Sequence, residues 1–133
     1  MMKRAEVAIR ARLDLICRDY EVTATQYVSL SVLRVHPGMS SAQLAVRSFV
    51  TPQSANQMVA ALERQGYIER SPDEKNRRIL RTSLTAKGRR LLERIDKRAS
   101  TFEAQMLSRL SEDEQRELRR LLQSCIESMA EDA

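Results

Sequence analysis

The chain has 133 residues and a mass of 15.3 kDa, enough for one compact domain. Apolar residues make up 42% and charged residues 31% of it, with only three Gly and three Pro, which excludes a disordered chain and favours a mainly helical fold. No apolar run is long enough to span a membrane, and the net charge is +5, so we expect a cytoplasmic protein with a polyanionic partner.

The positive charge is concentrated in the middle of the chain. Residues 40–90 hold ten basic and four acidic side chains, a net charge of +6, whereas residues 91–133 hold seven and ten, a net charge of −3. A solvated surface would spread its charge more evenly, so this asymmetry favours a nucleic-acid surface in the middle segment.

The first part of the chain predicts two helices. Apolar positions follow helical spacing over residues 4–20, which predicts a first helix. A capping box formed by Thr23 and Gln26 marks the start of a second helix, which runs to about Val35. His36-Pro37-Gly38 ends that helix, because Pro disfavours helical backbone at the residue before it and Gly opens a turn.

Two further helices follow at once. A second capping box, Ser40 with Gln43, begins a short third helix that ends near Ser48. Thr51 is a good N-cap for a fourth helix, and Gly66 can take the left-handed conformation that ends it. Two short helices joined by a tight connection form a helix-turn-helix.

The fourth helix has two different faces. One is an apolar stripe at helical spacing, formed by Ala55, Met58, Val59 and Leu62. The other carries uncharged side chains that donate and accept hydrogen bonds, namely Gln53, Ser54, Asn56 and Gln57. Asn and Gln pair well with adenine edges in the major groove. Because polar helix faces usually just face water, the interpretation as a DNA-reading face depends on the helix-turn-helix around it.

A hairpin is predicted after Gly66. Short strands are expected at Tyr67–Arg70 and Ile79–Leu84, and the loop between them carries Lys75, Arg77 and Arg78. Loop arginines are usually only solubility charges. Directly after a helix-turn-helix, however, the hairpin is typical of a wing that reaches phosphates or the narrow minor groove.

The last part of the chain predicts a long helix over residues 85–107 and a final helix that begins at the capping box of Ser111 and Glu114. The first and last helices carry apolar stripes, and the winged-helix body is too small to cover both. Dimerisation with a second copy is the favoured explanation, and packing back onto the same chain is the alternative.

Over essentially its whole length the chain resembles the MarR family of bacterial transcriptional regulators. Four blocks and their spacing carry the resemblance: Val50–Ser54, Leu62–Arg70, Asn76–Arg78 and Leu84–Gly88. The resemblance implies a mainly α (α+β) fold with a single MarR-type domain. Its parts are a winged helix-turn-helix DNA-binding region at 24–90 and dimerisation helices at 1–20 and 91–133.

The resemblance also implies a homodimeric repressor that binds double-stranded DNA at a pseudo-palindromic operator. The implied DNA-binding residues are Ser40, Ser41, Gln53, Ser54, Asn56, Gln57, Lys75, Arg77 and Arg78. Family members usually have Asp where this chain has Asn76, so the ion pair that orients the wing arginine is missing, and Asp73 or Glu74 could replace it. A small phenolic or aromatic acid would release the DNA, and Tyr20, Tyr27 and His36 are the candidate ligand-binding residues.

Other functions are less well supported by the sequence. With one His and no phosphate-binding or nucleotide motif, we expect no enzyme activity, no cofactor and no metal site. Cys17 and Cys125 are far apart, which excludes a disulfide framework, although Cys17 could make the protein a redox-sensing regulator. A winged helix used for protein contact is the other alternative.

Overall fold

The computed structural model describes residues 1–131, which form six helices and one antiparallel hairpin. The elements are α1 (Met2–Arg18), α2 (Ala24–Val35), α3 (Ser41–Arg47), α4 (Pro52–Arg64), β1 (Ile68–Pro72), β2 (Leu80–Leu84), α5 (Ala86–Met106) and α6 (Glu112–Glu131). The predicted mainly helical fold with a helix-turn-helix and a hairpin is confirmed. The last two residues of the predicted segment 91–133 lie outside the described residues.

The predicted helix starts are confirmed by their caps. The hydroxyls of Thr23 and Ser40 each accept a hydrogen bond from the backbone N–H three residues on, and the Gln there accepts one from the N–H of the cap residue. Ser111 and Glu114 form the same reciprocal pair, and Thr51 caps α4. Caps of this kind contribute roughly 0.5–2 kcal/mol each to stability.

Helix α1 spans Met2–Arg18, so the predicted range of 4–20 is wrong by two residues at each end. The chain leaves the helix because Glu21 has a φ of +59° and the Val22 N–H turns back to the Cys17 carbonyl at 3.3 Å. The reversal buries Val22 in the core, which a continued helix would not allow.

A single core lies between the end of α1, α2, α3, α4, the base of the hairpin and the first half of α5. Its largest fully buried apolar side chains are Leu30, Leu33, Leu44, Val59, Leu62, Leu92 and Ile95. The whole predicted stripe of α4 is buried, so the rotation of this helix about its axis is fixed and its polar face points outward.

The strand ends of the hairpin differ from the prediction: β1 is Ile68–Pro72 and not 67–70, and β2 begins at Leu80 and not at Ile79. The register of the hairpin runs from Ile68 opposite Leu84 to Pro72 opposite Leu80, so β1 extends two residues beyond the predicted end at Arg70. The pairing continues because the Asp73 N–H donates to the Ile79 carbonyl at 2.8 Å. The loop is therefore shorter and more tightly closed than the sequence suggested.

The hairpin is also joined to the connection between α2 and α3. The Gly38 N–H donates to the Thr82 carbonyl at 3.0 Å, and the Thr82 N–H donates to the Met39 carbonyl at 2.8 Å. Met39 thus forms a one-residue third strand.

The start of α5 packs directly on the end of α4. The Thr85 hydroxyl caps α5 and donates to the Gly66 carbonyl at 2.6 Å, while Gly66 has a φ of +80°. A Cβ atom at Gly88 would lie 2.2 Å from the Tyr67 carbonyl oxygen, so only glycine permits this approach.

Helix α6 has an apolar stripe that the described part of the chain does not bury. Leu121, Leu122, Ile126 and Met129 are 45–55% exposed, and Val7 and Leu15 on α1 are 52% and 53% exposed. The described part of the body therefore does not cover this stripe, although Glu127 and Ala130 at the end of α6 line a cavity with residues of the body. Among residues 1–131, no helix is both long and apolar enough to cross a lipid bilayer.

Thr82 provides a test of the core. It is fully buried, and its hydroxyl has no hydrogen-bond partner among the described protein atoms. Because an unpaired buried polar group costs about 1–3 kcal/mol, Thr82→Val should raise the free energy of unfolding by about 1 kcal/mol in denaturant titrations. Thr82→Ser, which keeps the hydroxyl and loses the methyl group, should lower it. A loss of stability in Thr82→Val would contradict this reading.

Candidate nucleic-acid interface

The outward face of α4 holds the four predicted base-contacting residues together. Gln53, Ser54, Asn56 and Gln57 are all exposed on the side opposite the buried stripe. The cap orders the first turn, because the Thr51 hydroxyl accepts from the Ser54 N–H and donates to the Ser54 hydroxyl at 2.9 Å. The helix therefore presents a row of amide and hydroxyl groups with a fixed orientation.

Ser40 and Ser41 lie at the start of α3. The Ser40 hydroxyl accepts a hydrogen bond from the Gln43 N–H at 3.2 Å, so its oxygen is occupied by the cap. Its proton remains available to donate to an outside acceptor. Both residues are partly exposed, which suits the binding of a phosphate oxygen.

The hairpin loop, which we call the wing tip (residues 73–79), exposes Lys75, Arg77 and Arg78. Among the ion pairs of residues 1–131, none includes these three side chains. The Asn76 side chain accepts the Arg78 N–H at 3.2 Å, so it orders the backbone beside Arg78. The wing tip thus exposes three cations that form no ion pair with the described side chains.

Neither of the two candidates, Asp73 or Glu74, forms an ion pair with Arg78 among the described side chains, so the expected replacement of the missing aspartate is wrong. One carboxylate oxygen of Asp73 binds the Arg81 guanidinium at 2.6 Å, and the other accepts the N–H groups of Lys75 and Asn76 at 3.2 and 3.0 Å. The bond to Arg81 and these N–H groups hold the pKa of Asp73 below its usual value. Asp73 therefore shapes the wing tip while leaving Arg78 free of an ion pair.

Arg81 was not singled out from the sequence. Besides binding Asp73, it donates to the Gly38 carbonyl at 2.9 Å, so it joins the wing to the connection between α2 and α3. The available signal was a pair of opposite charges at the two ends of the hairpin loop. The second partner of Arg81 is the Gly38 carbonyl, 43 residues away, and no local sequence pattern indicates that contact.

Tyr27 joins α2 to α5. Its hydroxyl donates to one oxygen of Asp96 at 2.5 Å, and Arg34 donates to the other at 2.6 Å. Burial and the bond to Asp96 raise the pKa of Tyr27 well above its ordinary value. The phenol is thus protonated at neutral pH and already engaged within the chain.

Tyr20 lies between two arginines of α5. The guanidinium carbons of Arg94 and Arg98 are 5.1 and 5.7 Å from its ring centroid, and Arg98 also pairs with Asp19 at 2.6 Å. These contacts hold the turn after α1 against α5.

His36 borders a cavity of about 630 Å³ together with Met39, Val46, Arg47 and Arg81. Glu127 and Ala130 near the end of α6 also line it. His36 and Arg47 are 3.3 Å apart at their nearest nitrogens. Neither Tyr20 nor Tyr27 lines this cavity, so the three residues predicted to bind a ligand are not brought together.

Cys17 is in the core and fully buried. Burial, with a smaller contribution from Asp14, raises the pKa of its thiol to about 11. Reactive cysteines are exposed and have a lowered pKa, because the thiolate is the species that is oxidised. The surroundings of Cys17 therefore argue against redox sensing by this residue.

Comparison with known proteins identifies the family. The sequence profile of the MarR family matches residues 22–80. The chain is 32% identical over 123 residues to the HTH-type transcriptional repressor Rv2887 of Mycobacterium tuberculosis, covering 92% of this chain and 88% of that protein. The crystal structure of Rv2887 with salicylic acid has 32% identity and a TM-score of 0.76, covering 93% of this chain and 92% of that one.

Two further solved structures share the fold. The transcriptional regulator SlyA has 27% identity and a TM-score of 0.82, with 98% of this chain and 95% of that one covered. A mutant of MarR from E. coli, complexed with operator DNA, has 20% identity and a TM-score of 0.80, with 93% and 89% covered. The wing, the exposed amide face and the similarity to Rv2887 agree: the chain belongs to the MarR family of winged-helix, DNA-binding transcriptional regulators, which are not enzymes.

Proposed function

We propose that the protein is a homodimeric repressor that binds a pseudo-palindromic operator and releases it when a small aromatic or phenolic acid binds. The observation that carries the proposal is the exposed amide face of α4 beside a wing tip whose cations have no ion-pair partner within residues 1–131. Such a protein would act in the cytoplasm, where the chromosome of a bacterium lies.

DNA recognition divides among three groups of side chains. The exposed face of α4 would read base edges in the major groove, and Arg78 would enter the minor groove, where negative potential attracts arginine. Phosphates would be held by Ser40, Ser41, Lys75 and Arg77. Since the wing-tip cations are not paired within the described chain, binding DNA would break no internal ion pair of theirs.

The exposed apolar stripe of α6 supports the homodimer. Four large apolar side chains on one side of a helix would aggregate if left in water, and a second copy offers a matching surface. Binding to successive major grooves of an operator requires the two-fold axis to place the two copies of α4 about 34–36 Å apart, which is one turn of B-form DNA.

The cavity beside His36 supports the proposed ligand. Its volume of about 630 Å³ is within the usual range for small-molecule sites of roughly 300–1,000 Å³. Arg47 would bind a carboxylate, while Met39 and Val46 offer apolar contact to a ring. Because Arg47 lies on α3 and Arg81 on the wing, a ligand there would touch both parts of the DNA-binding region. The similar protein Rv2887 was crystallised with salicylic acid and with p-aminosalicylic acid.

A winged helix used for protein contact is the main alternative. The two functions differ in salt dependence, because DNA binding releases counterions in proportion to the phosphates contacted. Failure to retain any double-stranded DNA at low salt would favour the alternative.

Arg78→Ala tests the wing. The substitution should weaken binding to a DNA fragment selected by the unmodified protein, and should lower the slope of log affinity against log salt by about 1. Fluorescence anisotropy at several salt concentrations measures both. Arg109→Ala, an exposed arginine between α5 and α6, is the matched control and should change neither. Equal affinities for Arg78→Ala and the unmodified protein would remove the wing from the mechanism.

Ile126→Glu tests the dimer. A charge in the middle of the exposed stripe should convert a dimer to a 15.3 kDa monomer in sedimentation equilibrium, with unchanged helix content. Ser124→Glu adds the same charge on the opposite side of α6 and should remain dimeric. If the unmodified protein is already a monomer at micromolar concentration, the dimer proposal fails.

Arg47→Gln tests the ligand site. Loss of the guanidinium should raise the salicylate concentration needed to release DNA by about tenfold or more, because a hydrogen bond to a charged group is worth about 1.5–3 kcal/mol. Anisotropy of the DNA complex during salicylate titration gives this concentration. Arg109→Gln serves as the control for lost charge. An unchanged response in Arg47→Gln would place the ligand elsewhere.

A further inference from the structure

The turn between α3 and α4 contains an unusual residue, Phe49. Its φ is +56°, in the left-handed region that bulky side chains rarely adopt, and 55% of its surface is exposed. Backbone strain of this kind is concentrated at functional positions, so it indicates a functional role for Phe49.

The backbone around Phe49 is held firmly. The Phe49 N–H donates to the Val46 carbonyl at 3.2 Å and the Val50 N–H to the Ala45 carbonyl at 3.0 Å, the pair of bonds that closes a helix and usually has glycine at the left-handed position. The preceding residue, Ser48, is anchored to Ser29 in the core by a 3.1 Å hydrogen bond. The ring is therefore fixed on the outside of the turn.

The aromatic ring of Phe49 is only partly buried by its own chain. Phe102, the other phenylalanine, is partly buried against the core with Arg12 over its ring at 5.3 Å. Phe49 has no such place in the described core. Glycine at this position would relieve the backbone strain and would lose only a half-exposed ring, which favours a contact of the ring outside its own chain.

The position of Phe49 indicates what that contact is. It lies two residues before Thr51, the N-cap of α4, so the two Cα atoms are at most about 7 Å apart. The first residues of a recognition helix are those that approach base edges. An apolar ring at this place meets one apolar group that carries sequence information in the major groove, the 5-methyl group of thymine.

We propose that Phe49 is a specificity-determining residue that packs against a thymine methyl group of the operator. The proposal rests on the proposed function, because it requires α4 to lie in the major groove. It adds an apolar contact to the hydrogen-bonding face of Gln53, Ser54, Asn56 and Gln57.

Replacement of single thymines by deoxyuridine tests the contact, since it removes only the methyl group. The unmodified protein should bind about fourfold more weakly when one particular thymine per half-site is replaced, as expected for one buried methyl group. Phe49→Gly should bind the parent operator more weakly and lose the response to that replacement. Phe49→Leu, which keeps an apolar side chain, should retain the response. Phe49→Gly should also have a higher melting temperature, because its backbone strain is relieved.

The outcomes separate the two proposals. If the unmodified protein retains no DNA, the proposed function itself fails. If it binds an operator but Phe49→Gly shows the same deoxyuridine profile, only the inference about Phe49 is overturned. A lower melting temperature for Phe49→Gly, or its dissociation to monomers in sedimentation, would also overturn the inference, because the ring would then pack within the protein or between subunits.

Discussion

Burial of one side of α4 is the constraint on which the rest of the molecule depends. Ala55, Met58, Val59 and Leu62 lie in the core, where each large side chain contributes about 1.5–3 kcal/mol. Because a helix has one rotation that buries such a stripe, the polar side chains on the other side have no freedom to turn inward. The orientation of the proposed DNA-reading side chains thus depends on apolar contacts that would not themselves touch the nucleic acid.

The sequence was most informative where structure is local. The caps at Thr23, Ser40 and Ser111 and the stripe of α4 depend on residues three or four positions apart, and the structure has them as predicted. The predicted end of α1 was wrong because the helix end is determined by a tertiary contact, the burial of Val22. The predicted strand ends of the hairpin were also wrong, since they depend on hydrogen bonds between residues on the two sides of the loop.

The functional surfaces show the same difference between local features, which could be predicted, and long-range contacts, which could not. Exposure of the amide face and of the wing-tip cations followed from periodicity and loop chemistry. The pairing of Tyr27 with Asp96, 69 residues away, could not be read from either, so Tyr27 was a ligand candidate although its hydroxyl is engaged. This contact attaches α5 to α2 of the DNA-binding region, and the arginines around Tyr20 attach α5 to the turn after α1. Helix α5 connects the DNA-binding region along the chain to α6, the helix whose apolar stripe we propose as the dimer surface.

The attachment of the hairpin to the connection between α2 and α3 has a mechanical consequence. Backbone bonds through Thr82 and the bond from Arg81 to the Gly38 carbonyl attach the hairpin to the connection that leads into the helix-turn-helix. Under the proposed function, a wing attached in this way would make binding sensitive to distance along the double helix as well as to sequence. One base pair inserted between the minor-groove and major-groove portions of a half-site would shift them by about 3.4 Å and about a tenth of a turn, a displacement that these bonds would oppose.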